Sequence, residues 1–146
     1  MKKYLFDPGK ADVPTSVGLL VLRLGFGGMM LFGHGWSKFE NFTKAKENFP
    51  VPGWFEAFMT SEMSLVLAIA TEVIGSALIM LGLLTRPAAL SLGFTMLVGA
   101  FAIHANDPLF LGAGKAKEPA LLYLIPCVAI VLTGAGRFSI DRTIKK

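Results

Sequence analysis

Two charged residues, Arg23 and Glu72, stand deep inside long apolar runs: Arg23 between Val17 and Phe32, and Glu72 between Ser64 and Leu84. A lone charge near the centre of a membrane-crossing helix costs at least about 2.5–3.5 kcal/mol, so it normally faces a partner or a cavity. Opposite charges on two successive runs predict a buried ion pair. A second set gathers near the other ends of the runs: His34 and Lys38, one helical turn apart on one face; His104, followed by Asn106 and Asp107; and Glu118, just ahead of Pro119. Imidazole and carboxyl groups exchange protons readily once their surroundings tune them, so this set offers acid–base chemistry to a ligand. Each residue also has a structural reading. Arg23 and Glu72 can simply hold helices together, the histidines can bond backbone or headgroups, and Lys38 can snorkel to the interface. Glu118 can decorate a helix N-terminus, where the dipole favours a carboxylate. The convergence of these groups at one level weighs toward a site.

The elements that must position them follow from composition. The chain has 146 residues, of which 53% are hydrophobic and only 16% charged, with mean hydropathy +0.60. Soluble domains carry roughly 25% charge, so this balance marks a membrane protein of one domain, residues 1–146. Four spans are expected by length and lack of charge, at about 15–36, 61–84, 87–105 and 118–136. Thr15 or Ser16 is the expected first N-cap, and Gly134–Gly136 the last stop. Pro126 falls inside the fourth span. The expected fold is all-α: an integral membrane four-helix bundle. Between the first and second spans, Phe39, Phe42, Phe49, Trp54, Phe55 and Phe58 alternate with charges, as in an amphipathic segment resting in the membrane interface.

The basic residues place the protein in the bilayer rather than on nucleic acid. Net charge is +4, but Lys and Arg cluster at span ends. With four spans, Lys2, Lys3, Lys10, Arg86, Arg137, Arg142, Lys145 and Lys146 share one side, against Lys38, Lys44, Lys46, Lys115 and Lys117 on the other. Eight against five puts both termini in the cytoplasm of a multi-pass inner (cytoplasmic) membrane protein. No short apolar core with a small-residue cleavage site follows Met1, so the first span is expected to stay as an anchor. Cys127 is the only cysteine, which rules out an intrachain disulfide and dithiol redox cycling. No ligand set for a metal is expected.

Rise per residue gives depth. Arg23 lies about 10 Å above the inner start of the first span and Glu72 about 18 Å above the inner end of the second, a gap one long side chain can close. His34, Lys38, His104 and Glu118 come to one level near the outer face, with Glu72 projecting below them. A polar pocket opening outward between the helices is the expected result.

Several stretches resemble the DoxX family of small four-span bacterial membrane proteins: Arg23-Leu-Gly with His34-Gly-Trp-Ser-Lys38, Glu72-Val-Ile-Gly75 with Gly82-Leu-Leu-Thr-Arg86, Glu118-Pro-Ala-Leu-Leu-Tyr123, and Gly134-Ala-Gly-Arg-Phe-Ser-Ile-Asp141. The resemblance implies a four-helix bundle, and some relatives are associated with quinone-linked oxidation or membrane oxidoreductase complexes. The leading expectation is therefore a membrane component of a quinone-linked oxidoreductase system. Glu72, His34 and His104 are its catalytic candidates, and Arg23, Lys38 and Glu118 its binding candidates. Quinone reduction consumes protons at two carbonyl oxygens, which His and Glu can supply. The chain shows no flavin fingerprint and no iron–sulfur cysteine set, so electrons would come from a partner oxidoreductase subunit. Haem ligated by His34 and His104 is a disfavoured option. The alternative is a non-catalytic scaffold, or a transporter-like protein binding a lipid or small solute. A homo-oligomer is compatible with either reading.

Overall fold

The computed structural model describes residues 11–112 and 114–145, so Lys2, Lys3, Lys10 and Lys146 of the charge count lie outside the described residues. Within them every regular element is helical. The order is α1 (Val13–Glu40), α2 (Phe42–Ala45), a single 3₁₀ turn (Gly53–Phe55), α3 (Ser61–Leu81), α4 (Thr85–Ile103), α5 (Glu118–Thr133) and α6 (Ile140–Lys145). Helices α1, α3 and α4 are long and apolar enough to cross a membrane. Helix α5 is equally apolar but has 16 residues.

The boundaries have local causes. Helix α1 starts earlier than expected because Asp12, not Thr15 or Ser16, is its N-cap: the carboxylate accepts the Thr15 N–H at 3.0 Å, ahead of Val13 and Pro14. Helix α3 stops at Leu81 because Gly82 turns left-handed, with φ +69°, and Leu84 follows at φ +47°. Helix α4 thus begins two residues before Pro87. Helix α5 ends at Thr133 ahead of Gly134, whose φ is +82°, as the glycine-rich stretch suggests. Pro126 lies inside α5.

Phe26 and Met30 of α1, Ile79 of α3, Leu92 of α4, and Cys127 and Ile130 of α5 form one buried core. The outer surface stays apolar: Val21, Leu97 and Leu132 are all exposed. A soluble protein would bury such a belt; a bilayer leaves it in its preferred solvent.

The register between α1 and α3 is fixed by two glycines. A Cβ on Gly27 would meet the Met80 side chain at 2.7 Å, and one on Gly35 would meet Val73 Cγ2 at 2.9 Å and the Glu72 carbonyl carbon at 3.0 Å. Only glycine lets the helices approach this closely. This register decides which polar groups can meet.

Candidate functional site

Three long helices each depart from α geometry at the same region. Leu31–Gly35 of α1 carries His34, Ala70–Gly75 of α3 carries Glu72, and Gly99–Ile103 of α4 immediately precedes His104, all as π-helical turns. The extra residue in such a turn leaves the i→i−4 ladder, as where the Trp36 N–H reaches Leu31 O and the His104 N–H reaches Gly99 O at 2.9 Å. This redirects the side chains that follow, and π turns are frequent at functional sites.

These turns surround a cavity of about 990 Å³ lined by His34, Lys38, Glu72, His104 and Tyr123 at its polar end. Glu72 is 4% exposed, and its Oε2 accepts a hydrogen bond from Lys38 Nζ at 2.5 Å. A carboxylate so buried is costly without a cation, and the half-buried Lys38 supplies one while keeping part of its stem in the cavity. The His34 ring meets Tyr123 edge-on, with centroids 5.2 Å apart. His104 Nδ1 and Asp107 Oδ2 lie 2.6 Å apart, a contact that orients the ring and leaves Nε2 for another partner. The roof is apolar: Phe49, Pro50, Phe55 and Met59 come from the segment between α1 and α3. Ser64 Oγ holds that segment by donating to Pro50 O at 2.8 Å.

The expected Arg23–Glu72 ion pair does not form. Arg23 is fully buried and donates from Nη1 to Ile79 O at 3.2 Å and from Nη2 to Phe138 O at 2.5 Å. With Gly35 seated against Glu72, Arg23 lies twelve residues earlier on α1, about 18 Å away along the axis. Depths counted from separate span ends missed this, because the Gly27 and Gly35 contacts set the register. Arg23 instead belongs to a knot at the opposite end. There the buried Asp141 carboxylate accepts from Leu84 N at 2.8 Å, Thr85 N at 3.0 Å and Thr85 Oγ1 at 2.7 Å, while the Asp141 N–H donates to Gly82 O at 2.8 Å. The C-terminal stretch is thereby sewn onto the α3–α4 turn.

Glu118 is also displaced from its expected place. It does not line the cavity; its Oε2 accepts the Leu111 N–H at 2.6 Å and so closes the α4–α5 loop. Of six sequence candidates the structure brings together His34, Lys38, Glu72 and His104, and leaves Arg23 and Glu118 outside. Two further lining residues, Tyr123 and Lys115, were not singled out as site residues. Tyr123 falls on the cavity face of α5, which its spacing from Pro119 and Ala120 could have signalled; Lys115, in a loop, gave no periodic signal. Among the described residues no group of three His, Cys, Asp or Glu could hold a metal ion.

Long apolar helices around an interior cavity with one ionisable end define a small helical membrane protein. Residues 18–105 match the family described as DoxX. An uncharacterised protein of Haemophilus influenzae is 31% identical over 137 residues, covering 92% of this chain and 87% of that relative. A second protein from the same organism is 37% identical over 79 residues, covering 53% of this chain and 59% of the relative. A Bacillus subtilis protein titled "Putative oxidoreductase CatD" is 29% identical over 126 residues, covering 86% of each. No solved structure matches the chain. The chain belongs to the DoxX family.

Proposed function

We propose that this protein is the membrane component of a quinone-linked oxidoreductase system, with the quinone ring held at the polar end of the cavity. The observation that carries this reading is the Lys38–Glu72 pair, its carboxylate buried, beside His34 at the polar end of a largely apolar cavity. Reduction of a quinone to a quinol takes two electrons and two protons. Glu72, His34 and His104 are the groups that exchange the protons with the ring oxygens, and Lys38 and Tyr123 orient the ring. The electrons come from a partner subunit of the oxidoreductase class. The relative titled as an oxidoreductase supports the same reading.

The setting proposed for this chemistry is a four-span bundle in the inner membrane with both termini cytoplasmic. Helix α5 serves as the fourth span, and the aromatic segment before α3 rests at the outer interface. The cavity then lies nearer the outer face, and the Arg23–Asp141 knot closes the cytoplasmic end. The test is a binding titration of the purified protein with a short-chain quinone. A charge-assisted hydrogen bond contributes about 1.5–3 kcal/mol, so Glu72→Gln should weaken binding roughly 10- to 150-fold, with His34→Ala also weaker. Unchanged affinity in both variants, each shown to be folded, would sink the proposal and favour a scaffold or lipid-binding role.

A further inference from the structure

We infer that the cavity is open sideways to the bilayer between α3 and α4, and that its ligand carries a long apolar chain which leaves through this seam. The inference deepens the quinone reading and rests on it for the headgroup only.

The polar end accounts for only part of the cavity. Along α4 and its C-cap the lining runs from Leu90 to His104, fourteen residue steps, or about 21 Å. At about 990 Å³ the space lies at the upper end of the range for small-molecule sites. The residues at the far end differ in kind from Glu72 and Lys38. Leu90 and Phe94 line the cavity, yet they are 64% and 58% exposed. On membrane-crossing helices a side chain that both lines a cavity and stays exposed marks a place where the cavity meets lipid. Thr95 Oγ1 donates to Thr71 Oγ1 at 3.0 Å, bridging the two helices at the level where the polar end gives way to this seam. Leu90 and Ser91 lie one turn beyond the bridge.

A compact polar solute would fill the Lys38–Glu72 end and leave an apolar groove without contacts. A ring bearing an isoprenoid or alkyl chain fills both, with the ring beside Glu72 and the chain running past Thr71 and Thr95 into the membrane. Entry from the bilayer also suits the tied roof, since Ser64 anchors the covering segment at Pro50.

The test uses the full-length protein in detergent and three probes: a benzoquinone bearing a ten-carbon chain, the same ring without the chain, and a fluorescent single-chain fatty acid. Ser91→Trp and Leu90→Trp plug the seam. Leu122→Trp, exposed on α5 and outside the cavity lining, is the control. The expected result is that the plugs weaken the chained quinone by about tenfold, equivalent to roughly two buried methylenes, with the chainless ring within about twofold and the control unchanged. If neither quinone binds but the fatty acid does, and the plugs displace it, the lateral opening stands and the quinone reading falls. If both quinones bind with equal affinity, or the plugs weaken both alike, the lateral opening is overturned and the quinone reading stands. Binding of no probe overturns both.

Discussion

Replacing Lys38 by methionine keeps most of the side-chain volume and removes the cation that faces Glu72 at 2.5 Å. Removing one partner of a fully buried pair costs about 3–5 kcal/mol, because the other charge is left in a poor solvent. Here the Glu72 side chain is 6% exposed but that of Lys38 is 27% exposed. The pair is therefore partly screened, and a discounted cost of about 2–3 kcal/mol is expected. For a chain of about this length 1 kcal/mol moves the melting temperature by roughly 2–4 °C, so Lys38→Met should melt about 4–12 °C below the parent. Glu72→Gln alone should cost less, since an unpaired Lys38 can extend toward the interface. The double variant Lys38→Met/Glu72→Gln removes both charges and should recover at least about 1 kcal/mol relative to the sum of the two single changes. Trp36 and Trp54 provide fluorescence for following the melts in detergent. If the two single effects add within about 0.5 kcal/mol, the two residues are not coupled and the reasoning fails.

Three other outcomes follow from the geometry. Gly35→Ala places a methyl within 2.9–3.1 Å of Val73 and Glu72; it should lower stability by about 1–3 kcal/mol and weaken quinone binding through the shifted carboxylate, as read by melting and titration. Asp141→Ala strips acceptors from Leu84 N, Thr85 N and Thr85 Oγ1; a loss of about 2–4 kcal/mol is expected, with quinone affinity of the folded fraction unchanged. Glu118→Ala should speed amide hydrogen exchange at Leu111, the donor to its carboxylate, while leaving affinity at the Lys38–Glu72 end unaltered.

Much of this arrangement was legible in the sequence because a bilayer makes simple demands. Apolar runs placed the long helices to within a few residues, and the errors trace to local chemistry: Asp12 capping α1 early and Gly82 ending α3 early. The gathering of His34, Lys38, Glu72 and His104 was legible because His34, Lys38 and His104 lie near the same ends of their runs, with Glu72 projecting from below them. Their pairing was not. Which cation meets Glu72 depends on the sliding register of α1 against α3, set by glycines whose close contacts leave no periodic trace. Arg23 therefore looked like the partner when it binds carbonyls of Ile79 and Phe138. Glu118 was misplaced for a related reason, since its partner, Leu111, lies in an irregular loop. The π turns leave no sequence signal either; nothing in the apolar pattern distinguishes one extra residue in a long helix.

Photolabelling tests the central claim most directly. The protein is irradiated with a photoreactive quinone analogue, with and without excess unlabelled quinone, and the adducts are located by mass spectrometry. The account predicts adducts on the peptides carrying Leu31–Lys38 and Ala70–Gly75, lost on competition and reduced in Glu72→Gln. Adducts confined to lipid-facing residues such as Val21 and Leu132, or unaffected by competition, would contradict it.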